Sequence, residues 1–351
     1  MAISGSGTLS LNEFHIEAGG TSGTSCSIDD TDIRGLIDKS QGATMSFNEW
    51  YGATAFTGWA LSGGSDGGTS GNYKFRYFTS SGQLSVDTLC SDDTINLDYV
   101  VIAGGGCGGY EDSDVAGGGG GAGGYRSGTF KPTTTGQISV TVGGGAAAVT
   151  SENQNQSEGS ASNLSGVVTN TGGGNGGKYG GGPGTAGSVG GRHGGSGGGG
   201  SKLDFPASPS HYGNSPSGGS SNMRDPGEGI SGQGNDGGTG GSQGSGGGGG
   251  GKGSAGGPRD TNGQGSTEGN ANYNGNTRGT GGSAGRADPG APPTPSGGGG
   301  RGASDNQNST DGSANTGGGG GGGGSDSNQS AKKRGGAGGS GIVMVRYQFQ
   351  I

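Results

Sequence analysis

The chain has 351 residues, 101 of them glycine, with 24% hydrophobic residues, 13% charged residues and a net charge of −8. An acidic balance with no basic run longer than Lys332-Lys333-Arg334 argues against a nucleic-acid partner, which would need a basic stripe or patch. No apolar stretch nears the length of a membrane span, and the start, MAISGSGTLSLNEF, lacks the basic and long apolar regions of a secretory signal.

Residues 1–55 contain an internal echo. Ser10-Leu11-Asn12-Glu13-Phe14 resembles Ser46-Phe47-Asn48-Glu49-Trp50. Each opens with Ser and carries Glu three positions on, the spacing of a capping box at a helix start. Between them, Ile33, Leu36 and Ile37 share one helical face. The expectation is a small module of three short helices over 1–55. Its rings Phe14, Phe47, Trp50 and Tyr51 make a mini-core, a docking face for a partner, or partly both.

Residues 56–103 read as a β-rich connecting region. Tyr73–Tyr77 alternates ring and charge, and Gly82–Val86 alternates as well, as half-buried strands do. Tyr99–Ala103 is continuously apolar and suits a strand covered on both faces. Downstream, Gly136–Val142 alternates again, and Ile342–Ile351 closes the chain as a strand. That last strand is expected to return to the sheet of Tyr99–Ala103, anchoring the intervening segment at both ends.

That segment, 104–341, holds 86 of the glycines, against 15 in 1–103. The entry, LDYVVIAGGGCGGY at 97–110, has the outline of a phosphate loop. It lacks the rest of that motif: five glycines, 117–121, stand where a helix should open, and each costs a helix about 1 kcal/mol against alanine. Ordering the backbone of so many glycines costs on the order of 100 kcal/mol, which apolar burial here cannot offset. Disorder is therefore the default expectation, and the alternative is order held by main-chain hydrogen bonds rather than by a core. The runs 117–121, 172–177, 194–200, 237–257, 297–302, 317–324 and 335–341 suit rods lying side by side, of polyproline-II type, with polar stretches as turns. The collagen period is absent. The three cysteines, Cys26, Cys90 and Cys107, form no CxxC pair, and His15, His193 and His211 have no ligand spacing. No metal, cofactor or catalytic constellation is expected.

Four motifs in order, YVVIAGGG at 99–106, GGGGGAGGY at 117–125, GQISVTVGGG at 136–145 and GIVMVRY at 341–347, resemble the glycine-rich domain of bacteriophage tail-fibre and virion proteins. The Ser-Leu-Asn-Glu-Phe and Ser-Phe-Asn-Glu-Trp-Tyr-Gly segments are similar to repeats at the starts of virion proteins from marine and cyanobacterial phages. The resemblance implies a mostly irregular and β fold. The small helical module would be followed by β-strands, then a polyglycine-II helix bundle over 104–341, closed by the strand 342–351. It also implies a virion-surface location, no catalysis, and loops that form a host-receptor surface. The partners would be other tail proteins, held through the N-terminal module, and a host receptor; a homo-oligomer stays open.

The strongest candidate loop is 201–226, SKLDFPASPSHYGNSPSGGSSNMRDP, with three glycines and four prolines. Its Phe205, His211, Tyr212, Met223 and Arg224 suit receptor contact on a preordered backbone. Phe205 and Tyr212 equally suit pinning the loop to the rods. Two readings of function stand: a tail-fibre or tail-tip adhesin, or a structural virion, capsid-decoration or filament subunit without a receptor. An ice-binding protein would want a flat face of regular small repeats, which the sequence does not display.

Overall fold

A computed structural model describes the chain apart from residues 1–2, 4–5, 38, 52, 54–56, 112–115, 152–153, 179–189, 202–224, 242–245, 259–269, 272–276, 287–291, 293, 305–306, 325–333 and 351. Both capping boxes form. Ser10 caps α1 (Leu11–Glu17), with Glu13 N–H donating to Ser10 Oγ at 3.2 Å and Ser10 N–H donating to Glu13 Oε2 at 2.8 Å. Ser46 and Glu49 repeat the arrangement at the 3-10 turn Phe47–Trp50. The middle helix, α2, spans Thr31–Gly35. Together they enclose a mini-core of Ile3, Phe14, Ile33, Leu36 and Trp50, in which the Phe14 and Trp50 rings stack at 4.3 Å. Arg34, also buried, pairs with Asp29 at 2.6 Å and donates to Ala43 O at 2.6 Å, tying the loops around that core.

The strands β1 (Ala60–Ser62), β2 (Ser65–Ser70), β3 (Tyr73–Phe78), β4 (Gly82–Thr88), β5 (Leu97–Ile102), β6 (Tyr125–Phe130), β7 (Gly136–Thr141), β8 (Ser162–Leu164), β9 (Val168–Asn170) and β12 (Ile342–Gln348) build two antiparallel sheets. Their orders are β1-β4-β7-β8-β9 and β2-β3-β12-β5-β6. A short ribbon, β10 (Asn270–Ala271) with β11 (Thr277–Arg278), stands apart from both. Alternation along the strands sends one face of each sheet inward. Leu61, Leu84, Val86, Val140 and Leu164 meet Phe78, Leu97, Val101, Val343, Val345 and Tyr347 in one core, sealed by Trp59. The closing strand does return as expected: β12 lies between β3 and β5, with Ile342 opposite Ile102 and Val345 opposite Tyr99. Its second face is covered too, with Ile342 and Met344 packed against Val100, Ile102 and Tyr125.

The expected fold class requires correction. The regular architecture is this pair of five-stranded sheets, and among the described residues the glycine runs form no helix bundle. Several of them continue the chain from the strands: β5 runs on into 103–109, β7 into 142–149 and β9 into 171–177, while 116–124 leads into β6, 157–161 into β8 and 335–341 into β12; the runs at 194–200, 246–251, 297–302 and 317–324 adjoin no sandwich strand and join the others through main-chain bonds. The residue pattern explains the difference. Alternating apolar side chains had enough area to close a sandwich, which then dictates the direction in which the glycine segments leave it.

Segment 117–124 lies at the centre of this glycine layer. The N–H groups of Gly117, Gly120 and Gly123 donate to the carbonyls of Gly323, Gly320 and Gly317. Those of Gly118, Gly121 and Gly124 donate to Gly177, Gly174 and Thr171, and those of Gly119 and Ala122 to Gly247 and Gly250. Its carbonyls accept from three further segments, through Gly106 and Gly109, Ser196 and Gly199, and Gly282 and Gly285. Thus every N–H in the run is paired, as burial demands, although the segment carries a single Cβ, that of Ala122.

Candidate functional site

The layer has two ends. At the near end, Ala103, Gly124 and Thr171 are bonded side by side where the sandwich strands stop. At the far end, Gly109, Gly118, Gly177 and Gly199 come level through bonds of 2.7–2.9 Å. The two levels are some six residues apart, roughly 20 Å in extended chain.

Side chains sew the near end to the sandwich. Asn170 Nδ2 donates to Val101 O at 2.6 Å and Gly124 O at 3.2 Å. Ser162 Oγ donates to Ile102 O at 2.8 Å and accepts from Gly143 N–H at 2.9 Å. Gln233 Oε1 accepts from Thr171 N–H at 2.7 Å. All three residues are buried. Tyr125 and Tyr77 sit on the outer face of the second sheet beside Arg278; burial raises both phenol pKa values, which the guanidinium partly opposes. Asn170, Ser162 and Gln233 did not stand out in the sequence, where a lone Asn, Ser or Gln among glycines gives no signal of a junction.

The far end is where connectors between the glycine segments are anchored. The chain leaves the described layer at Ser201 and re-enters at Asp225, whose carbonyl accepts from Gly191 N–H at 3.0 Å. It also leaves at Lys178 and Gly324, and Gly335, where it returns, bonds Val149 at the same end. Arg192 faces Glu158 at 3.7 Å, and Arg334 pairs with Asp311 at 2.5 Å. The receptor candidates Phe205, His211, Tyr212, Met223 and Arg224 lie outside the described residues.

The four attachment candidates divide. Phe14 and Trp50 are 2% and 0% exposed inside the mini-core, whereas Phe47 and Tyr51 are 66% and 39% exposed. Leu11 and Ile16 on α1 are exposed as well. The Tyr51 hydroxyl donates to Gly7 O at 2.8 Å.

The stretch Gly104–Gly109 has no capacity left for a phosphate. It is buried, and Gly104, Gly105, Gly106, Gly108 and Gly109 donate their N–H groups to Ser160, Gly339, Gly121, Gly336 and Gly118. Within it, Cys107 donates its thiol to Ser157 O at 3.3 Å, and burial pushes its pKa up to about 11, away from nucleophilic chemistry at neutral pH. Among the described residues, no cluster of three His, Cys, Asp or Glu side chains is placed to hold a metal ion. No described helix is long and apolar enough to cross a membrane.

The class defined by this geometry is a β-sandwich protein with a main-chain-bonded glycine layer grown from its strands. The chain belongs to the glycine-rich domain family, whose model matches residues 79–348 and so takes in both the sandwich from β4 onward and the whole layer. Among curated proteins, none matches the chain.

Proposed function

We propose that the protein is a bacteriophage virion component, a tail-fibre or tail-tip adhesin displayed on the particle surface. In this reading the module 1–55 attaches it to a tail protein through Phe47, Tyr51 and neighbouring apolar side chains. The glycine layer acts as a stiff spacer without catalysis, and connectors at its far end meet a host receptor. The observation that carries the reading is the gathering of the anchors Lys178, Ser201, Asp225 and Gly324 at the end of the layer remote from the sandwich. Connectors on a rigid scaffold are where binding residues concentrate. The phage resemblance of the four motifs supplies the biological setting.

The test is adsorption. Purified protein should bind host cells and compete with phage for them, and Phe205→Ala with Tyr212→Ala should weaken binding while leaving the fold intact. A chain that is found on virions but never binds cells would instead be a structural subunit. Immuno-electron microscopy that finds no protein on the particle would remove both roles.

A further inference from the structure

We propose that an open groove at the end of the sandwich remote from the glycine layer binds the carboxylate of an acidic, sugar-sized ligand. The inference rests on the groove alone and not on the adhesin reading. β12 starts beside Ile102 at the glycine layer and ends at Gln348, so Tyr347 and its partner Lys74 mark the opposite end. There a cavity of about 470 Å³ opens, within the range that holds small ligands. Residues 57–61, β3 and the segment leaving β12 wall it.

Two cations, Lys74 and Arg76, line it. They are two positions apart on β3, so they share a face and stand about 7 Å apart. That face is the inward one, which they share with core residue Phe78. Lys74 Nζ sits 4.3 Å over the Phe349 ring. Among the described residues Arg76 donates only through Nε, to Leu61 O at 3.1 Å, so its two terminal NH2 groups remain to grip an oxyanion end-on. No carboxylate is among the described lining residues. Asp66, opposite Arg76 in register, has Oδ1 accepting from Gly68 N–H at 2.8 Å and forms no ion pair with it. Two inward cations with no partner carboxylate among the described residues are an uncompensated positive site in an acidic protein.

The remaining lining selects the body of the ligand. Thr57 and Thr88 offer hydroxyls, while Ala60 and Phe349 offer apolar surface. A pyranose carrying a carboxylate meets all three: hydroxyls for the threonines, a C–H face for the ring and an anion for the cations.

Calorimetric titration of the full chain with glucuronate at low ionic strength tests this, with glucose and inorganic phosphate as comparisons. The expected result is saturable 1:1 glucuronate binding that glucose does not show. Affinity should fall at least tenfold in Lys74→Ala/Arg76→Gln and persist in the charge-retaining Lys74→Arg. Thr88→Glu, which sets a carboxylate in the groove wall, should abolish binding in a protein that melts like the parent. Absent glucuronate binding, equal binding of glucose, or phosphate binding without glucuronate would each overturn the proposal. So would affinity unchanged in the folded Thr88→Glu protein.

Discussion

Gly119→Ala would probe the centre of the glycine layer with one methyl group. A Cβ there would lie 2.7 Å from Gly282 C and 3.0 Å from Gly249 N, and nearer still to Gly282 O, all of it backbone that no rotamer change can clear. Relief requires segments 117–124 and 280–285 to part by about an ångström, since ordinary Cβ contacts begin near 3.4 Å. That movement stretches the bonds from Gly282 N–H to Gly120 O and from Gly249 N–H to Gly282 O, both 2.9 Å. Two weakened buried bonds at about 1–3 kcal/mol each, with an overpacking cost of similar size, give about 4 kcal/mol or more. The lower backbone entropy of unfolded alanine returns only about 0.4–1 kcal/mol. Against a total near 5–15 kcal/mol, the variant should be severely destabilised. Gly144→Ala is the control: the position is exposed and has nothing within 4 Å of an added Cβ. It should be neutral or slightly stabilising. Denaturant titration followed by circular dichroism reads both. Loss of less than 1 kcal/mol at Gly119, or equal losses at the two sites, would refute close backbone packing around segment 117–124.

Asn170→Ala strips the donor from Val101 O and Gly124 O, so thermal unfolding should report a loss of about 1–3 kcal/mol. Ser10→Ala removes the α1 cap and should cost the module about 1 kcal/mol, seen as faster amide exchange in 11–17 with the sandwich unchanged. The Cys107 thiol ionises at about 11 when folded against an ordinary 9.0, so the native state holds the proton longer. Its contribution is complete below pH 9 and is lost as pH rises through 11, up to roughly 3 kcal/mol, which Cys107→Ala should remove from the alkaline limb of a stability profile. The same burial should leave Cys107 unreactive to a thiol reagent until the chain unfolds, while half-buried Cys26 reacts first.

What the sequence showed followed where side chains carry pattern. Ser10 and Glu13, with Ser46 and Glu49, announced both capped turns. The alternation in Tyr73–Tyr77, Gly82–Val86 and Gly136–Val142 announced β3, β4 and β7, and the apolar runs announced β5 and β12. β2, with the sequence Ser65–Ser70, and β8 and β9, three residues each, were silent because their pairing comes from neighbours and not from their own side chains. The weight given to glycine rods misjudged the class for a related reason. Glycine has no side chain to show which face is buried, so composition alone could not reveal that several of the segments continue the strands of a sandwich. The groove around Lys74 and Arg76 was hidden as well, since ring–charge alternation on β3 suggested an outward charged face. Burial of Phe75 and Phe78 on opposite faces shows that both sides of that strand are covered.

Native-state hydrogen exchange measures the central physical claim, that buried main-chain bonds and not side-chain packing hold the glycine layer. The amides of Gly117–Gly124 should exchange as slowly as those of Val100, Val101 and Val345 in the sandwich core, through global unfolding. The exposed Gly144 should exchange far faster. Exchange of Gly117–Gly124 at rates near those of an unfolded glycine-rich chain, while the core strands stay protected, would contradict the account.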